Sequence, residues 1–183
     1  SINGLVSITT KRTLLSLFVL SLFFLTATHT KAAYTKAITV DPILLLQWND
    51  LRFRYETSLS SKNSLALDLE LDNRYNDVVG VRVGALYRWY FRDVFPVHTS
   101  GLEGFNLGPY ALLGFYSWDY PVSNERRERR TNVHLELGGE LAYKWVFGGF
   151  TIEPNFRLGF PVVKKSYYTN FYYGFGVGLG YAW

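Results

Sequence analysis

Phe171-Tyr172-Tyr173-Gly174-Phe175-Gly176-Val177-Gly178-Leu179-Gly180-Tyr181-Ala182-Trp183 places a large apolar or aromatic residue at every odd position. From Gly174 onward, every even position is Gly or Ala. Successive side chains of a strand point to opposite faces, so this strand has one wholly apolar face and one bare face. A soluble sandwich buries its large face and turns polar groups to water on the other. A bare second face suits the inside of a narrow closed barrel, where small residues on one strand make room for large ones opposite.

The same period of two recurs upstream. Residues 39–47 are apolar without a clear face and read as a first strand, with a tight turn at 48–50. Residues 51–59 alternate cleanly, with Leu51, Phe53, Tyr55, Thr57 and Leu59 against Arg52, Arg54, Glu56 and Ser58. A turn at 60–63 leads to strand 64–71, a polar loop at 72–77, strand 78–91 and a link at 92–104. Strand 105–118 contains Pro109, which lacks a backbone N–H and predicts a bulge. A charged loop at 119–131 precedes strand 132–147. Gly148-Gly149 is a hairpin turn, followed by strand 150–160, a loop at 161–170 and the final strand. The whole predicts an all-β, eight-stranded antiparallel up-and-down transmembrane β-barrel.

Charge placement decides between a soluble and a membrane barrel. The large apolar face of these strands carries no Asp, Glu, Lys or Arg. The opposite face carries Arg52, Arg54, Arg82, Arg88, Lys144 and Arg157, matched by Glu56, Asp68, Glu70, Glu136, Glu140 and Glu153. Turned inward, the apolar face would overfill a barrel this narrow. Turned outward, it meets lipid, where a lone Arg or Lys costs roughly 2–4 kcal/mol at midplane. The opposed interior charges are then expected to pair, because a buried charge without a partner is costly.

The start of the chain agrees. Lys11 and Arg12 precede an apolar run at 14–25, and Thr30-Lys31-Ala32 fits a small-x-small cleavage site. Residues 1–32 therefore read as a leader with a removable signal peptide, and 33–183 as the barrel. The run is too short for a spanning helix of roughly 20 residues. Setting aside Lys11, Arg12 and Lys31, the remaining Lys and Arg exceed the Asp and Glu by a single charge. That balance gives no reason to expect a nucleic-acid partner. With no cysteine there is neither a lipoprotein anchor nor a disulfide scaffold.

In an eight-stranded barrel both termini share the periplasmic side. The turns at Ser60 and Gly148 and the link at Arg92 join them there, and the loops near Asn49, Asn73, Arg127 and Lys165 face outward from the cell. Trp89, Phe91, Trp145, Phe147, Tyr181 and Trp183 then form a periplasmic aromatic girdle. The aromatic end of the last strand resembles the C-terminal signal of bacterial outer-membrane barrels, which implies contact with outer-membrane lipid and with the outer-membrane assembly machinery. Asp41-Pro42-Ile43-Leu44, Arg54-Tyr55-Glu56, Tyr87-Arg88-Trp89-Tyr90-Phe91, Gly108-Pro109-Tyr110 and Glu140-Leu141-Ala142-Tyr143-Lys144-Trp145 occur in this order. Together they resemble a family of small bacterial outer-membrane barrels, a domain of unknown function with an OmpA- or OmpW-like, porin-like fold. The resemblance implies location in the outer membrane of a diderm bacterium and supplies no catalytic residues.

Signals of chemistry are thin. Outside the leader the histidines are His98 and His134, and two histidines without a cysteine make a metal site improbable. No cofactor is expected. His134 shares the inward face with Glu136, which raises a lipid-modifying enzyme as the weakest of three readings. A narrow conduit for small or hydrophobic solutes is the second. The favoured reading is a non-enzymatic structural or surface-interaction barrel. Arg126, Arg127, Arg129 and Arg130, with Lys164 and Lys165, form an exposed basic loop that could meet an anionic surface ligand.

Overall fold

The computed structural model describes residues 33–48, 50–75, 78–94, 97, 101–123, 126–162 and 171–183. The proposed leader, His98, Lys164 and Lys165 lie outside the described residues. Eight strands close into one antiparallel barrel in chain order: β1 (Lys36–Asp41), β2 (Asp50–Ser58), β3 (Asn63–Tyr75), β4 (Val78–Tyr90), β5 (Gly104–Ser123), β6 (Arg126–Phe147), β7 (Phe150–Pro161) and β8 (Tyr172–Ala182). The seam pairs β1 with β8 from Ala37↔Ala182 to Val40↔Leu179.

Alternation fixes which face is which. Leu67, Leu69, Val83, Leu107, Phe115, Leu141, Phe156 and Phe175 project from the outer wall and are exposed, whereas Arg54, Glu70, Arg88, Glu140, Lys144 and Glu153 are buried inside. The bare face of β8 also points inward, with Gly176, Gly178, Gly180 and Ala182 buried. Gly148 and Gly149 both take positive φ, as the two-residue turn between β6 and β7 requires.

Four segments depart from the expectation, the first being residues 72–75, which continue β3 in place of the expected polar loop. Residues 42–48 do not extend the first strand. They form α1 (Pro42–Trp48), whose start is capped by Asp41: its Oδ1 accepts hydrogen bonds from the Ile43 and Leu44 amides at 3.0 and 3.2 Å. An aspartate cap followed by proline at the first helical position is a strong helix start. α1 packs against β2 and β8 and buries Leu44. Residues 119–123 and 126–131 are strand and not loop, because β5 and β6 stay paired through Trp118↔Arg130, Asp119↔Arg129 and Pro121↔Arg127. The bulge expected at Pro109 is absent. The β5–β6 register runs through Pro109↔Gly139 unshifted, and the irregularities fall between Asp72 and Tyr75 and between Pro121 and Ser123.

The end of the barrel where the start of β1 meets the end of β8 is sealed by apolar side chains. Tyr34, Ala37, Tyr90, Leu102, Val146 and Ala182 pack into one buried cluster. Tyr34 and Leu102 reach it from outside the strands: Gly101 bridges Tyr34 in parallel, and the Leu102 amide donates to the Tyr34 carbonyl at 2.9 Å. Among the described residues, no helix is long and apolar enough to cross a membrane.

Candidate functional site: a charge-filled interior

Strand register delivers the first set of ion pairs. Arg52, Arg54 and Glu56 follow one another at spacing two on the inner face of β2, opposite Glu70, Asp68 and Ala66 of β3. Side chains directly across an antiparallel pair are near neighbours. Arg54 grips Asp68 with both Nε (2.6 Å) and Nη2 (2.9 Å), and Arg52 Nε donates to Glu70 at 2.7 Å. The same logic sets Glu70 against Arg82 and Glu140 against Arg157, whose N···O distances are 2.8 and 2.5 Å.

Longer reaches then cross the lumen. Arg88 of β4 donates to Glu56, Glu140 and Glu153 at 2.5–3.0 Å. Lys144 of β6 crosses to Glu56 of β2 and also meets Glu153 of the neighbouring β7 at 2.8 Å. Arg54 also reaches Glu140 (2.7 Å) and Glu153 (2.9 Å). Arg157 bridges Asp68, Glu70 and Glu140. The Tyr90 hydroxyl donates to Glu56 at 2.7 Å and ties the network to the apolar seal beneath it. Arginine suits such a web because its planar fork offers five donors in fixed directions.

Of the twelve inward-facing charges singled out from the sequence, eleven join this network and Glu136 stands apart. Glu136 accepts a hydrogen bond from the Tyr110 hydroxyl and lies 3.8 Å from His134 Nε2. Arg157 stacks over the Tyr110 ring at 4.9 Å, so Glu136 meets the network through an aromatic intermediary. His134 also faces the Tyr116 ring edge-on at 6.4 Å.

The interior holds more acid than the strand pattern named. Asp41, Asp50, Asp72 and Glu103 are buried as well, and among the described residues no further Lys or Arg is. Asp50 accepts from Arg82 Nη2 at 2.6 Å, and Asp41 Oδ2 lies 3.7 Å from Arg52. These acids sit at strand ends and in the β4–β5 link, where a turn reading hides their inward direction. A cavity of about 10 Å³, lined by Thr39, Asp41, Arg52, Arg54, Glu153, Asn155 and Gly178, adjoins Asp41. It is about the size of a single water.

On the outer wall, Trp89, Phe91, Trp145, Phe147 and Trp183 are exposed around the end where β1 begins and β8 ends. Tyr87 packs edge-on against Trp89 at 5.0 Å, and Tyr143 lies 4.6 Å from Trp145. Tyr181 departs from the girdle expected of it. It belongs to the outer face by register but is 8 % exposed, covered by the Gly149 turn and stacked on Trp183. Arg126, Arg127, Arg129 and Arg130 fall on the β6 ladder and not on a loop. Around Gly139, on the outer face of β6, lies an apolar groove of about 730 Å³ flanked by Leu107, Pro109, Leu137, Leu141, Phe156 and Phe160.

A closed, eight-stranded antiparallel barrel with an apolar exterior and an ion-paired interior is thus the class that fold and interior define. No family model and no curated protein matches the chain. Among solved structures, the chain is similar to the N-terminal β-barrel domain of Pseudomonas aeruginosa OprF, at 14 % identity over 81 % of this chain and 95 % of that one, with a TM-score of 0.48.

Proposed function

We propose that this chain is an integral outer-membrane barrel of a diderm bacterium, with a structural or surface-interaction role and a lumen that does not conduct. The observation that carries the reading is the inversion of an ordinary soluble core. Leu67, Leu141, Phe156 and Phe175 face out and are exposed, while Arg88, Lys144, Glu56 and Glu140 are buried at 1 % or less. Water gives no reason to expose such a wall, whereas a bilayer does. The reading includes removal of the leader on export and recognition of the aromatic-ended last strand by the outer-membrane assembly machinery.

A closed lumen is favoured over a conduit by the charged web across the barrel's middle and by the apolar seal at one end. Two measurements test the proposal. The folded chain is expected to insert into lipid vesicles and migrate as a heat-modifiable band. In a planar bilayer it is expected to give no discrete conductance steps. Reproducible steps that disappear when the chain is unfolded would replace this reading with the conduit.

A further inference from the structure

Asp41, the last residue of β1, uses its two carboxylate oxygens differently. Oδ1 accepts the Ile43 and Leu44 amides and starts α1. Oδ2 is buried and meets no hydrogen-bond donor among the described residues. Arg52 Nη1 stands 3.7 Å from it, beyond the reach of a direct N–H···O bond. A buried carboxylate oxygen without a hydrogen bond is costly, and a polar separation of this length suits a bridging water.

The space beside Oδ2 has the size and chemistry for one. The enclosed cavity of about 10 Å³ is walled by Asp41 with Thr39, Arg52, Arg54, Glu153 and Asn155, all of them buried, and by the bare backbone of Gly178. A buried water needs roughly 10–15 Å³ of room and two to four polar partners. Arg52 Nη1 has two hydrogens, and Asn155 Oδ1 at 3.3 Å takes one of them. The two guanidinium groups on the wall oppose a metal cation, and the two carboxylates oppose an anion.

Gly178 points to the same occupant. A Cβ there would lie 3.5 Å from Thr39 Cβ and Oγ1 and 3.6 Å from Glu153 Cβ, which are ordinary contacts. One at Gly180, on the same inner face, would run into the Ile38 carbonyl oxygen. Packing therefore demands glycine at 180 but not at 178, where a methyl group would take up the cavity.

We propose that one water molecule is a built-in part of the barrel interior, held in the room that Gly178 leaves. It accepts from Arg52 Nη1 and donates to Asp41 Oδ2 and Thr39 Oγ1. Asp41 thereby holds α1 with one oxygen and, through the water, Arg52 with the other. Arg52 is itself fixed on Glu70 at 2.7 Å, so the water joins the helix cap to the charge network. The inference stands on the interior geometry and does not depend on the membrane reading.

The test compares the full chain with Gly178→Ala and with Gly139→Ala, whose Cβ meets nothing nearer than 3.9 Å on the outer face. A crystal structure of wild type in detergent, at a resolution that shows ordered water, is expected to hold an isolated peak about 2.7–3.2 Å from both Arg52 Nη1 and Asp41 Oδ2. The peak should be absent from Gly178→Ala. In reversible urea unfolding in detergent micelles, Gly178→Ala should lower the folded-to-unfolded ratio about tenfold, because it leaves Asp41 Oδ2 without its hydrogen bond. Gly139→Ala should leave the ratio unchanged or raise it slightly. No peak in wild type, a peak that rubidium replaces with an anomalous signal, or equal stability of the two variants would each overturn the proposal.

Discussion

Glu140→Gln is the sharpest probe of the interior. The Glu140 carboxylate receives Arg54 at 2.8 and 2.7 Å, and Arg88 and Arg157 at 2.5 Å each, from three different strands. Four charge-assisted hydrogen bonds at about 1.5–3 kcal/mol each set an upper bound near 6–12 kcal/mol. The net loss is smaller, because Arg54 keeps Asp68, Arg88 keeps Glu56 and Glu153, and Arg157 keeps Asp68 and Glu70. Removing one partner from a buried cluster costs about 3–5 kcal/mol, and glutamine turns part of its amide toward three cations. The assay is reversible urea unfolding in vesicles, followed by tryptophan fluorescence. With a slope near 2 kcal/mol per molar, the midpoint should fall by about 2 M at unchanged slope. A loss under ~1 kcal/mol is the value for exposed pairs. That result would mean that water reaches these charges, and the dry, closed interior would be refuted.

Gly108→Ala should abolish the heat-modifiable folded band, because its Cβ would run into the Tyr87 carbonyl oxygen, while Gly139→Ala, with its nearest neighbour at 3.9 Å, should fold as wild type does. Leu67→Arg places a charge at a 51 % exposed position of the outer wall and should cost about 2–4 kcal/mol in vesicle unfolding; a neutral result would argue against lipid contact there. Asp41→Ala removes the α1 cap and should destabilise by about 1 kcal/mol in the same assay. Trp183→Ala should reduce insertion yield while keeping the backbone bonds that tie Trp183 to Thr35 and Lys36. A chain ending at Ala182 loses those bonds too and should insert less well still; equal yields for all three chains would show that neither the ring nor the bonds matter.

Strands and faces were legible because a period of two survives wherever one face must be apolar, as in 51–59 and 150–160. The helix at 42–48 was not, since Ile43-Leu44-Leu45-Leu46 is a short apolar run whose periodicity does not separate helix from strand. The Asp41-Pro42 step carried the missing signal. The β5–β6 extension was hidden for a different reason. Beyond Ser117 a period of two persists as Trp118, Tyr120 and Val122 against Asp119, Pro121 and Ser123, but its apolar set has changed to the even positions and the facing stretch 126–130 is all charged, so the segment reads as a loop. Within the interior, register-matched pairs such as Arg54 with Asp68 could be anticipated from face alone. The reach of Arg88 to Glu153 and of Lys144 to Glu56 across the lumen depends on barrel diameter and closure, which no single strand encodes. Tyr181 was assigned by its face, and what covers it comes from the Gly149 turn on the neighbouring hairpin.

The seam between β1 and β8 bears on how such a chain comes together. Every other ladder joins consecutive strands and can form by local zippering, but Ala37 must find Ala182 across about 145 intervening residues. It is also a short ladder, running only from Ala37 to Val40 on β1, where β5 and β6 pair along nearly their whole length. A sheet that has zipped from β1 to β8 but not closed carries two open edges, one of them β8, a strand nearly bare of side chains on its inner face. Until closure, these open edges are free to pair with another chain, so closure competes with a concentration-dependent side reaction. The Trp183 amide and carbonyl, bonded to Lys36 and Thr35, form the clasp that ends the lifetime of those edges.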